Sequence, residues 1–396
     1  MAKALLRTFP CGNGDCIFLL LKEDNGAEFH MMVDCGIYNN EISDFVENKF
    51  HKHIDLLIAT HIDNDHISGL AKMLDSTPDL SIGKIIYNCY QQPKEKEIGI
   101  DSAIETLSKE YIQDLPPSIE YGEYQASARE AILLAKSIVG RDEWKNVWNT
   151  DYVTNQSPDL VLQSEMGDSF GKLVFLSPTN DALEKLDNSY KRAFFKFFFK
   201  SKSENYIDES NIFELLTLFE QLEKGEVCDT EQVSDSNVTK QYLDSITKSE
   251  KSDSSLTNIS SLAFIWEYKD SRILFLGDAV PEVIVNAIRD KYTGSIPLHL
   301  LAVKVSHHGS LYNTSFELLN LLQTNHFIFT GGNSNDKPSE QTIAKIIKNN
   351  SDDNQMSYLH FNHKNSNTER FVNTPSLTKN ILHFEADYEE NYAFEF

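Results

Sequence analysis

Along the first sixty residues, apolar and polar positions switch over short distances, a period that predicts strands rather than helices. The runs at 4–9 ("ALLRTF") and 16–22 ("CIFLLLK") flank "PCGNGD", whose Gly12 and Gly14 permit a tight turn between paired strands. Residues 28–36 ("EFHMMVDCG") read as a third strand and 54–60 ("IDLLIAT") as a buried one. "EISDFVENKF" and "ISGLAKMLD" have helical spacing, so the buried strand delivers a polar turn to the start of a helix. Further strands are predicted at 82–90, 172–179 and 326–332, and a hairpin over 260–280 turns at Asp270 and Ser271. One more strand precedes Ser306. Residues 101–150 are mostly helical in pattern, and 339–350 form an amphipathic helix.

The regular pattern breaks at about residues 181–257, which are rich in Ser, Asp, Glu, Asn and Lys. This stretch reads as an insertion within a single domain covering residues 1–396. It has helical patches such as "NIFELLTLFEQLEK", while 228–257 is polar enough to be flexible. A lid, a linker or a surface for a protein partner are its expected uses. Residues 191–202 ("KRAFFKFFFKSK") combine basic and aromatic character; on a helix, Phe195, Phe198 and Phe199 share one face and Lys196 and Lys200 another. An aromatic face packed on the domain is the favoured reading, and stacking against a single nucleic-acid strand the alternative.

With 396 residues and 40% hydrophobic content, the chain has material for one large domain or two ordinary ones. A net charge of −24 repels phosphate backbones and anionic membranes unless basic groups are gathered locally. The five cysteines lack a metal-finger spacing, the N-terminus lacks a signal peptide's order, and no apolar run spans a bilayer. A cytoplasmic protein with no membrane partner is expected.

The candidate chemistry lies at strand ends. His61, Asp63, Asp65 and His66 fall within six positions after the apolar run. Such side chains are costly to bury unless they are paired or bound to a metal. "ILFLGDA" ends its strand on Asp278, and "AVKVSHHGS" on His307 and His308. Of that histidine pair, one is expected as a ligand and the other as a neighbour of ligand or substrate; order along the strand favours His307. Asp34 is expected to brace the motif loop.

In this combination the chain resembles the metallo-β-lactamase superfamily, whose signature is H-x-H-x-D-H followed by distant Asp and His ligands. Within it, the hydrolase domain of ComEC-type competence proteins looks most similar. That group resembles this chain in the Asp at the second ligand position, "GD" after a hairpin and "HHGS" after the next strand. "VDCG", "FPCGNGDC" and Asn258–Leu262 are similar too. The resemblance implies an α/β fold, a four-layer αββα sandwich. It also implies two divalent metal ions, Mn²⁺ or Zn²⁺: His61 and Asp63 on one, Asp65 and His66 on the other, Asp278 bridging and His307 completing the second. Where lactamase-type members carry a third-motif His, Ser177 and Pro178 stand here. Lys337 precedes Pro338 where relatives carry "GHP", and there it would neutralise a phosphate.

The implied activity is metal-dependent hydrolysis of a phosphodiester, as by a nuclease on DNA or RNA, in DNA processing or phage defence. Asp65 would orient the attacking hydroxide, with His308 and Lys337 towards substrate. The carboxylate of Asp63 favours Mn²⁺ over Zn²⁺. Two rivals stand: a small-molecule hydrolase of the same fold, acting on a cyclic nucleotide, lactone or thioester, and a non-enzymatic partner subunit that binds through the insertion.

Overall fold

A computed structural model of the chain describes residues 3–88, 133–164, 167–185, 237–248, 252–253, 255–332 and 337–396. Two sheets dominate the described residues. The first runs Ala393–Glu395, Lys3–Thr8, Ile17–Lys22, Glu28–Val33, Leu56–Ala59, Ile85–Tyr87. The second runs Phe384–Tyr388, Ser357–Phe361, His326–Phe329, Ala302–Lys304, Ser271–Phe275, Ala263–Tyr268, Ser169–Ser177, Leu160–Gln163.

Side-chain alternation turns these sheets into layers. Leu19, Met31, Val33, Leu56 and Ile58 of the first sheet meet Phe264, Trp266, Ile273 and Phe275 of the second in a shared core. The intervening residues Phe18, Met32 and Leu57 point the other way, into a core with Ile42 and Phe45 of the helix Asn40–Asn48 and Ile67, Leu70 and Met73 of the helix Asn64–Ser76. Likewise Ile265 and Leu274 face a third core with Ile284 and Ile288 of the helix Pro281–Lys291 and Ile343 and Ile347 of the helix Glu340–Asp352. Helix, sheet, sheet, helix is the expected four-layer αββα order.

The strands that end in candidate chemistry are parallel to a neighbour. Glu28–Val33, Leu56–Ala59 and Ile85–Tyr87 run the same way, as do Ser271–Phe275, Ala302–Lys304 and His326–Phe329. Their carboxyl ends therefore gather on one edge of each sheet, where α/β sites form. The two edges are tied directly: the Leu262 N–H donates to the Thr60 carbonyl at 2.8 Å.

Two features depart from the sequence reading. The stretch 228–257 is not uniformly flexible: Lys240–Ile246 is a helix capped by the Thr239 side chain. It buries Leu243 in the third core and pairs Asp244 with Lys348 of the helix Glu340–Asp352 at 2.7 Å. Its polar composition hid the two anchors, Val238 and Leu243, that fix it. The C-terminal strands Ser357–Phe361, Phe384–Tyr388 and Ala393–Glu395 are not among the predicted elements; they are only five, five and three residues long, although Phe384–Tyr388 alternates strictly. Residues 191–202 and 211–224 lie outside the described residues. Among the described residues, no helix is long and apolar enough to cross a membrane.

Candidate metal centre

The motif after Leu56–Ala59 is held open by glycines. A Cβ on Gly14 would lie 1.6 Å from the Asp65 carbonyl oxygen, and one on Gly36 2.1 Å from it. The "GNGD" turn thus exists to let Asp65 approach the hairpin, not to cradle phosphate. Asp63 is the N-cap of the helix Asn64–Ser76, yet its side chain makes no capping bond. A carboxylate that declines the usual capping role is free for another partner.

Each buried imidazole is oriented through Nδ1. His66 Nδ1 meets Asp34 Oδ2 at 2.8 Å; Asp34 also accepts from the Thr60 N–H and hydroxyl, both at 2.7 Å. His61 Nδ1 lies 3.0 Å from Thr60 Oγ1. His308 Nδ1 is 3.0 Å from the Thr330 carbonyl and 3.1 Å from Asp15 Oδ1. Bonds at Nδ1 assign the proton there and leave the Nε2 lone pair for a cation. Those three Nε2 atoms, with one oxygen each of Asp63 and Asp278, are buried and have no hydrogen-bond partner.

The separations decide what the set is for. His61 Nε2 is 3.3 Å from Asp63 Oδ2 and 3.8 Å from Asp278 Oδ2. His66 Nε2 is 3.4 Å from Asp278 Oδ1, and His308 Nε2 is 3.4 Å from Asp65 Oδ2 and 3.7 Å from Asp278 Oδ2. These gaps exceed normal hydrogen bonds. They match the roughly 3.4 Å expected between two donors each about 2.1 Å from one tetrahedral ion. The residues present therefore fit divalent cations.

Charge points the same way. The carboxylates Asp15, Asp34, Asp63, Asp65 and Asp278 gather around the buried ammonium of Lys304, which is 1% exposed, touches Asp15, lies 3.9 Å from Asp278 Oδ1 and donates to the Gly277 carbonyl at 3.0 Å. Burial opposes charging His66, but Asp278, Asp65 and Asp34 outweigh it and hold its imidazole pKa well above the usual value. Without metal, a proton compensates the carboxylates; a bound cation would release it.

The structure brings His61, Asp63, Asp65, His66 and Asp278 together. It separates the roles of the two neighbouring histidines. His308 is fully buried with a free Nε2, whereas His307 Nε2 is in contact with the Lys337 amino group and 3.6 Å from Asp278 Oδ2. Both residues adopt left-handed backbone, φ 49° and 55°, so the chain doubles back at the pair and gives the two imidazoles different surroundings. A non-glycine pair in that region costs about 1–2 kcal/mol per residue, strain typical of functional sites.

Asp253, from the end of the insertion, was not foreseen. It sits 3.4 Å from His307 Nδ1; burial works to raise its carboxyl, but hydrogen bonds from His307, the Ser255 N–H and Asn258 outweigh it and hold it at about 2. Asp15 and Lys304 were missed too, although a lysine inside the apolar run "LLAVKV" was a legible signal.

Because Asp34 fixes both His66 and Thr60, Asp34→Asn is expected to weaken metal affinity about 10–100-fold, the range for residues that orient metal-ligating histidines. Competitive chelator titration measures it; affinity within twofold of the parent contradicts the role.

Fold and site define a class: an α/β sandwich with a buried His/Asp centre at its strand ends, built to hold divalent cations. Residues 10–121, which carry the His61–His66 motif, match the family described as the Metallo-beta-lactamase superfamily. No curated protein matches the chain. Among solved structures, a diphosphatase from the PhnP family is similar at 9% identity and TM-score 0.37, covering 100% of this chain and 98% of its own. A CmlA β-hydroxylase variant is similar at 9% identity and TM-score 0.38, over 99% of this chain and 54% of its own. A long-form RNase Z from yeast shares 12% identity at TM-score 0.34, over 94% of this chain and 38% of its own.

Proposed function

We propose that this chain is a metal-dependent hydrolase of phosphodiesters, with nucleic acid as substrate. The observation that carries the hydrolase reading is the convergence of unpartnered buried donors: Nε2 of His61, His66 and His308 with oxygens of Asp63 and Asp278. His61 and Asp63 would hold one ion, Asp65, His66 and His308 the second, and Asp278 both. A pair of such ions, when bound, supplies Lewis acidity at the phosphoryl oxygens and a hydroxide nucleophile near neutral pH.

The chain's own groups do the rest. Asp65, one-third exposed at its side chain, is placed to receive or orient a proton of the attacking water. Lys337 donates to His307 Nε2, and the His307 Nδ1–H donates to Asn313 Oδ1 at 3.1 Å. Lys337 therefore stands as a positive charge beside the centre, where a phosphate oxygen would displace its contact with His307. The phosphodiester reading rests on that lysine and on the oxygen-rich donor set, and the choice of nucleic acid on the motif resemblance. In a chain of net charge −24, attraction for a polyanion must come from such local cations.

The test is turnover of metal-stripped protein reconstituted with Mn²⁺, Mg²⁺ or Zn²⁺ on labelled single- and double-stranded DNA and RNA, beside cyclic nucleotides, lactones and thioesters. Cleavage of DNA or RNA is expected, faster with Mn²⁺ than with Zn²⁺. Turnover confined to the small molecules, or full activity with stoichiometric Zn²⁺ and none with Mn²⁺, contradicts the reading. Lys337→Met should lower kcat/KM on the phosphodiester about 10–100-fold, the worth of one charge-assisted hydrogen bond. An unchanged kcat/KM removes Lys337 from the substrate site.

A further inference from the structure

We propose that Cys11, Cys16 and Cys35 form a second metal site, an all-thiolate pocket for a soft or borderline divalent cation such as Zn²⁺, separate from the His/Asp centre. The three residues are scattered in sequence but meet in space, with all three sulfurs within 4.8 Å of one another. Exposure is 1% at Cys11 and 0% at Cys16 and Cys35, and no disulfide joins them. Sulfurs about 4 Å apart around a triangle leave its centre about 2.3 Å from each, the Zn–S bond length.

Buried cysteine is often only a small apolar side chain, so the convergence needs support. The backbone supplies the first. The hairpin joins Phe9 N–H to the Cys16 carbonyl at 2.9 Å, and the Cys35 N–H donates to the His66 carbonyl at 2.7 Å. The Cys11 carbonyl accepts from the Gly14 N–H at 3.1 Å, so all three cysteines sit on hydrogen-bonded backbone. The second is a shared polar partner: the Cys11 and Cys35 thiols each donate to the Ile37 carbonyl at 3.4 Å, which turns both sulfurs toward one point.

The trio also lies under the motif helix: a Cβ on Gly69 of that helix would come within 2.6 Å of Cys35 Sγ. Cys16 and Cys35 each follow directly a carboxylate, Asp15 and Asp34, that holds an imidazole of the His/Asp centre. A cation on the thiols would stiffen the backbone behind both.

The full chain should be produced in Co²⁺-supplemented medium, because sulfurs this buried would take up metal during folding. The wild type is expected to show an intense near-ultraviolet thiolate-to-Co²⁺ charge-transfer band, and Cys11→Ser to lose it with about one equivalent of cobalt. Cys16→Ser sits in the hairpin and is at risk of misfolding, so Cys35→Ser serves as the second variant, with the same loss expected. A folded wild type without the band, a Cys11→Ser protein that keeps it, or a disulfide among the three in protein purified under reductant would overturn the proposal. Oxygen and nitrogen donors give no such band, so this result stands or falls apart from the hydrolytic reading.

Discussion

Asp278→Asn is expected to leave a folded protein whose hydrolysis is reduced at least about a thousandfold. The carboxylate is 2% exposed, and its oxygens are the ones that face His61, His66 and His308 together. An amide keeps the shape but has one oxygen and no charge, so neither ion keeps its shared ligand. Losing about 4 kcal/mol of charge stabilisation at the phosphoryl group corresponds to that factor, at about 1.4 kcal/mol per tenfold. The fold should survive because the backbone here is pinned independently. The Asp278 N–H donates to Ser261 Oγ at 3.0 Å, and its carbonyl accepts from Asn313 at 3.1 Å. Steady-state turnover beside circular dichroism measures both halves; a rate within tenfold of the parent contradicts the assignment.

Lys304→Met is expected to destabilise the metal-free protein by about 3–5 kcal/mol, the cost of stranding one member of a buried ion pair. Asp15 would lose its one ammonium partner: it is 1% exposed, and its other side-chain neighbours are the Thr330 hydroxyl and the imidazoles of His308 at 3.1 Å and His66 at 3.9 Å. Burial by itself would raise the Asp15 carboxyl, and Lys304 followed by His308 pulls it below the ordinary carboxylate range. Removing the ammonium leaves the burial penalty in place. Adding Asp15→Asn to Lys304→Met should return part of the loss, because two neutral side chains of similar size replace the pair. Urea unfolding of the parent, the single and the double variants reads all three stabilities. A loss under about 1 kcal/mol for Lys304→Met would show that the pair does not hold the hairpin turn to the second sheet.

Much of this arrangement was legible in the chain because it is written in local pattern. The apolar runs before His61, Asp278 and His307 are strands whose alternation also sets the three cores, so each ligand-bearing turn falls at a strand end. Less legible were features set by non-local packing. The left-handed turn at His307 and His308 buries His308 fully beside its neighbour, and nothing in "SHHGS" beyond its glycine announces that. Asp253 reaches His307 from a segment whose composition reads as solvated, held there by contacts with Asn258 and Asn313. Lys304 and Asp15 are 289 positions apart in the numbering (304 − 15), so their pairing depends on the two sheets stacking.

Hydrolysis by this chain is expected to depend on divalent cations held at the His/Asp centre. The most direct measurement is the Mn²⁺ content of the wild-type and Asp278→Asn chains after loading and exhaustive dialysis, read by plasma mass spectrometry on the samples assayed for DNA and RNA cleavage. Mn²⁺ is a poor match for thiolates, so the count reports this centre alone. The active wild type is expected to retain a pair of ions, with both ions and cleavage lost together in Asp278→Asn. Equal Mn²⁺ content in the two proteins, or cleavage by a wild type that retains none, would contradict it.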